Sequence, residues 1–121
     1  MAARKTILIV DDDSFVRVTL RDLLAEGDFE LREAADGQEA LELIGELGPD
    51  LVLLDLLMPR KSGMEVLAEL NRTRPGMPVL VISSLDAEAM VEAALASGAA
   101  GFIAKPFHPI EILAAVQEAL S

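Results

Sequence analysis

Asp11-Asp12-Asp13 follows the apolar run Ile7-Leu8-Ile9-Val10, and Asp55 closes the apolar run Leu51-Val52-Leu53-Leu54. Two further runs, Val79-Leu80-Val81-Ile82 and Gly101-Phe102-Ile103-Ala104, are followed by Ser83-Ser84 and by Lys105-Pro106. Acids, a hydroxyl and an amine delivered together suit a divalent cation and a phosphoryl group. Like charges ~4 Å apart repel by about 4 kcal/mol at an effective dielectric near 20. A cluster of Asp11, Asp12 and Asp55 therefore needs a cation to relieve it. Oxygen ligands beside a phosphate favour Mg²⁺, which takes one or two carboxylates and keeps several waters; Mn²⁺ is the alternative ion. Asp13 reads differently, as a helix cap alongside Ser14.

The elements that must position these groups follow from periodicity. Runs as apolar as Leu51–Leu54 read as strands buried on both faces, as in a parallel sheet covered by helices. Such sheets place their sites outside the carboxyl ends of the strands. Phe29 to Ala34 alternates and reads as a further strand. Helical spacing appears in Val16, Leu20, Leu23 and Leu24; in Ala40, Leu41, Ile44 and Leu47; and in Val66, Leu67 and Leu70 after Gly63. Two more helices follow, one capped by Asp86 with Val91, Ala94 and Leu95 inward. The other starts at Pro109, with Leu113, Val116 and Leu120 inward. Asp36-Gly37 reads as a turn, and Gly48-Pro49, Pro75-Gly76 and Gly98 as helix stops. Strand and helix alternate throughout, so the fold class is α/β with a doubly wound parallel sheet, and residues 1–121 form one domain.

Composition narrows the function. The formal charge of −11 argues against direct nucleic-acid binding, whose affinity rests on Lys and Arg. No apolar run approaches the ~20 residues needed to span a bilayer, and Met-Ala-Ala-Arg-Lys lacks an apolar signal core. Zero cysteines exclude disulfides and thiolate metal sites and fit a reducing compartment. The expectation is a cytoplasmic protein without membrane contact.

These residues also carry a resemblance. Ile7-Leu8-Ile9-Val10-Asp11-Asp12-Asp13, Ala35-Asp36-Gly37-Gln38-Glu39-Ala40-Leu41, Asp55-Leu56-Leu57-Met58-Pro59 with Gly63, Ser83, and Lys105-Pro106-Phe107 resemble the receiver domains of two-component response regulators. The likeness runs from end to end. It implies a flavodoxin-like (βα)5 sheet of order 2-1-3-4-5, the order of a chemotaxis member of that family; these residues by themselves leave the order open. It implies that Asp55 accepts a phosphoryl group from a phosphohistidine of a sensor histidine kinase or histidine phosphotransfer protein. Asp11, Asp12, Asp55 and the backbone carbonyl of Leu57 would hold Mg²⁺. Ser83 and Lys105 would bind phosphoryl oxygens, and Lys105-Pro106 would carry a cis peptide. Ser83 and Phe102 would switch the face made by the fourth helix, fifth strand and fifth helix. Such a protein is no enzyme in the ordinary sense, since it catalyses only its own phosphorylation and dephosphorylation. The chain reads equally as a single-domain regulator or as the receiver of a longer one.

Two alternatives meet the residues less well. A dinucleotide-binding module needs a Gly-rich turn where Asp11-Asp12-Asp13 stands. An aspartyl-phosphate-type Mg²⁺-dependent phosphatase needs its nucleophile after the first strand, in an Asp-x-Asp pattern followed by Thr or Val, where this chain has Ser14. Charge is uneven along the chain: Arg4, Lys5, Arg17, Arg21, Arg32, Arg60, Lys61, Arg72 and Arg74 precede Pro75, and only Lys105 follows it. Arg17, Arg21, Arg60 and Lys61 are expected to dock the phosphodonor. The acids Asp86, Glu88, Glu92, Glu111 and Glu118 should keep two copies from pairing through the switching face.

Overall fold

A computed structural model describes residues 4–121, so the first residues of the 1–121 domain and of the N-terminal reading lie outside the described part. Strand and helix alternate as β1 (Lys5–Val10), α1 (Ser14–Leu24), β2 (Phe29–Ala34), α2 (Gly37–Leu47), β3 (Leu51–Leu54), α3 (Gly63–Thr73), β4 (Val79–Ser83), α4 (Glu88–Ala96), β5 (Gly101–Ala104) and α5 (Pro109–Leu120). The strands form one sheet in the order β2-β1-β3-β4-β5, and every pairing is parallel. The expected (βα)5 topology is present.

Strand side chains alternate between faces with a period of two, and this divides the core. Leu8, Val10, Val52, Leu54, Val79 and Val81 pack with Ile44 of α2 and with Val66, Leu67 and Leu70 of α3. Ile7, Ile9, Leu51, Leu53, Leu80 and Ile82 pack with Leu20 and Leu24 of α1 and with Ile112 and Val116 of α5. Full burial of one such side chain contributes about 1.5–3 kcal/mol, so β1, β3 and β4 are the stiff centre of the molecule.

In two helices the expected inward stripe holds at Ala94, Val116 and Leu120, which pack on the core, but not at Leu95 and Leu113. Leu95 is 46% and Leu113 43% exposed. The inward stripe of α4 is set by Met90 and Ala94, and that of α5 by Ile112 and Val116. Each pair is four residues apart, so the residue just after one member is carried about 100° away from the core. Asp86 does not cap α4, whose N-cap is Ala87 with no side-chain hydrogen bond. Asp36-Gly37 is also more than a turn: Asp36 caps α2 by accepting the Glu39 N–H at 2.9 Å.

Register delivers the carboxyl ends to one edge. Val10 pairs with Leu54, so Asp11 and Asp55 leave adjacent strands side by side. Ser83 pairs with Ala104, which sets Lys105 next to Ser83.

Candidate functional site

The backbone holds the acids before any side chain does. The Asp55 N–H donates to the Val10 carbonyl at 3.0 Å, and the Asp11 N–H to the Ala34 carbonyl at 3.1 Å. Both carboxylates are nearly out of solvent, Asp11 at 2% and Asp55 at 5% exposure, whereas Asp12 is exposed. One carboxylate oxygen from each of Asp11, Asp12 and Asp55 lies within 4.8 Å of the others. Asp13 stands apart, its carboxylate accepting the Phe15 N–H at 2.9 Å as the cap of α1.

Lys105 crosses this cluster. Its Nζ donates to Asp11 Oδ2 at 2.7 Å and to Asp55 Oδ2 at 3.1 Å, and its peptide bond to Pro106 is cis. The remaining oxygens are held by main chain: Asp13 N–H donates to Asp11 Oδ1 at 2.9 Å, and Leu57 N–H to Asp55 Oδ1 at 3.3 Å. Burial pushes the Asp11 carboxyl above its ordinary value, outweighing the bonds from Lys105 and the Asp13 amide. Burial alone would lower Lys105, but its bond to Asp11 and the charges of Asp55 and Asp11 hold it above the ordinary lysine value. The cluster thus sets three carboxylates against one ammonium. Two negative charges stay uncompensated, the deficit a divalent cation balances, and the all-oxygen donor set fits Mg²⁺.

Ser83 is fully buried at the same edge, yet its Oγ accepts the Leu85 N–H at 3.2 Å and does not touch the acids. Leu57 turns its side chain out at 59% exposure. Phe102 is half-buried against the core layer that also contains Met90 and Leu85.

Several further residues support the strand end. A Cβ on Gly63 would lie 2.1 Å from the Asp55 carbonyl oxygen, so the start of α3 closes directly on the strand end. Ser62 and Glu65 lock that start with a capping box. Arg60, at a positive φ of 66°, pairs with the buried carboxylate of Asp36 and ties the loop after β3 to α2. Both Arg60 and the close approach of Gly37 to the Lys61 carbonyl depend on how α2 and that loop meet, which no local pattern encodes.

The basic residues expected to dock a partner are already engaged. Arg17 and Arg21 both bind Glu33, at 3.0 and 3.1 Å, and Lys61 lies 3.4 Å from Glu69. The acids Asp86, Glu88, Glu92, Glu111 and Glu118 are all exposed.

Comparison with known proteins identifies the arrangement. The family model described as "Response regulator receiver domain" matches residues 7–117. The chain is 37% identical to chemotaxis protein CheY of Thermotoga maritima, over 94% of this chain and 96% of that one. It is 41% identical to response regulator MprA of Mycolicibacterium vanbaalenii, over 94% of this chain but 49% of that longer protein. Among solved structures, a CheY-like receiver domain from Methanospirillum hungatei superposes with a TM-score of 0.92 at 30% identity, covering 98% and 94% of the two chains. The CheX–CheY–BeF3–Mg²⁺ complex from Borrelia burgdorferi matches with a TM-score of 0.92 at 31% identity, covering 97% and 90%. These matches favour a signalling receiver over the phosphatase alternative. The chain belongs to the family of response regulator receiver domains of two-component systems.

Proposed function

We propose that Asp55 is the phosphoacceptor and that the whole 1–121 chain acts as one receiver domain. One observation carries the assignment: Asp55 follows the central strand β3, between β1, which delivers Asp11 and Asp12, and β4, which delivers Ser83, and its carboxylate also bonds the Lys105 ammonium. A carboxylate oxygen of Asp55 attacks the phosphorus of a phosphohistidine. The P–N bond breaks, its electron pair returns to the imidazole, and an acyl phosphate forms. Asp11, Asp12, Asp55 and the carbonyl of Leu57 would hold Mg²⁺ (or Mn²⁺), which when bound neutralises charge on the acids and on the phosphoryl oxygens. Lys105 donates to one phosphoryl oxygen and the Ser83 hydroxyl to another, so catalysis is positioning and charge neutralisation. The Ser83 Oγ accepts from the Leu85 amide, which leaves its own O–H free to donate to that oxygen. Phe102 then turns inward and biases the surface of α4, β5 and α5 toward a partner protein.

The phosphodonor is a sensor histidine kinase or histidine phosphotransfer protein in the cytoplasm, and the domain itself makes no contact with nucleic acid. Among the described residues no helix is long and apolar enough to cross a membrane. Beyond its own phosphorylation and dephosphorylation the domain catalyses nothing.

Acetyl phosphate with Mg²⁺ should add a single phosphoryl group by intact mass, and Asp55→Asn should add none. A gain of the same mass by the Asn variant would refute the assignment.

A further inference from the structure

The Asp12 carboxylate is exposed and makes none of the hydrogen bonds that hold Asp11, Asp13 and Asp55 among the described residues. Its position is therefore set by its own backbone, and that backbone is held from outside the cluster. Arg17, one turn into α1, donates from Nη1 to the Asp11 carbonyl at 2.6 Å. That carbonyl belongs to the peptide unit whose nitrogen is Asp12. The Arg17 side chain is only 17% exposed, and its Nε donates to Glu33 of β2 at 3.0 Å. Glu33 is held in turn by Arg21, whose Nη1 also donates to the Leu31 carbonyl at 3.2 Å. The guanidinium fork thus spans from β2 to the Asp11-Asp12 peptide, a two-point geometry open to arginine and closed to lysine.

We infer that Arg17 is a positioning residue for cation binding: by fixing the Asp11-Asp12 peptide it sets the orientation of the Asp12 carboxylate and hence the affinity for Mg²⁺. The inference rests on the reading of Asp11 and Asp12 as Mg²⁺ ligands. It is separable from a charge effect, because the two have opposite signs. Removing a cation beside an acid cluster should tighten binding of a second cation, whereas releasing a ligand's backbone should weaken it.

The test is an amide chemical-shift titration of the unphosphorylated chain with MgCl₂, for the wild type, Arg17→Gln and Arg17→Lys. Both variants should raise the Mg²⁺ dissociation constant, about tenfold for Arg17→Gln, and Arg17→Lys should do so although it keeps the charge. The folded fraction is read from the same spectra, so a stability loss alone leaves the constant unmoved. A constant equal to the wild type or tighter in either variant overturns the inference. If Arg17→Gln does not fold, Arg17→Lys decides. A wild-type protein whose amides around Asp11, Asp12 and Asp55 do not shift with Mg²⁺ would instead show that the ligand assignment itself is wrong.

Discussion

Replacing Gly63 by alanine tests whether Asp55, the proposed phosphoacceptor, is positioned by close packing of backbone on backbone. The added Cβ would meet the Asp55 carbonyl oxygen at 2.1 Å, the Leu56 Cα at 2.5 Å and the Asp55 carbonyl carbon at 2.9 Å. Ordinary contact begins near 3.4 Å, so something must move by more than 1 Å. The strand end resists, because β3 is buried along its whole length and the Asp55 N–H is bonded to Val10. The start of α3 must then retreat, stretching the 2.9 Å bond from Gly63 N–H to the Leu56 carbonyl and dragging the loop that follows Asp55. Overpacking of this kind costs about 1–3 kcal/mol, and a ~1 Å misplacement of a reacting group slows reaction by roughly 10²-fold. Urea unfolding should show the first effect, and an intact-mass time course with acetyl phosphate the second. Gly45→Ala is the control: nothing lies within 4 Å of its added Cβ in the last turn of α2. It should raise stability by about 0.5–1 kcal/mol and leave the rate unchanged. A Gly63→Ala protein that phosphorylates at the wild-type rate and keeps its stability within about 0.5 kcal/mol would refute the packing argument.

Leu57 is exposed and Leu85 half-buried, and neither side chain can hydrogen-bond a hydrolytic water. Changing Leu57→Asn together with Leu85→Glu should speed loss of the phosphoryl group, with an unchanged decay counting against a role for these side chains. The bond from the Glu39 N–H, and then Arg60, hold the Asp36 carboxyl below its ordinary value of 3.8. A lowered folded value means that this stabilisation is complete above 3.8 and is lost as pH falls through the lower folded value. The urea midpoint of the wild type should therefore drop below pH 3.8 more steeply than that of Asp36→Asn, and parallel acid limbs would contradict the assignment. Sedimentation with beryllofluoride should find no dimer through α4, β5 and α5, because Glu88, Glu92, Glu111 and Glu118 are exposed and Lys105 is bound to Asp11 and Asp55. An induced dimer that disappears on changing Glu88 or Glu111 would show the charge argument to be wrong.

The chain determines its elements locally. Runs such as Ile7–Val10 and Val79–Ile82 are apolar on both faces, Asp13 and Ser62 cap the helices that follow them, and Gly48 closes α2 in the left-handed region at φ 54°. From these patterns the parallel α/β class and the delivery of Asp11, Asp55, Ser83 and Lys105 to one edge can be read directly. The outward turn of Leu95 and Leu113 could not. The apolar residues of α4 and α5 fit more than one stripe, and packing against the sheet adds Met90 to Ala94, and Ile112 to Val116.

Charge pairing is where tertiary structure decides. Lys105 and Asp11 are 94 residues apart in the chain yet 2.7 Å apart in space, a contact created by the parallel register of β1, β3, β4 and β5. Arg17, Arg21, Arg60 and Lys61 look like free surface cations in the sequence, but the fold brings each to an acid of its own chain. Periodicity reports which way a side chain faces within its own element. Which charge stands across from it depends on neighbouring elements far away in sequence, and Coulomb attraction falls off over a few ångströms. Only the assembled sheet sets those distances.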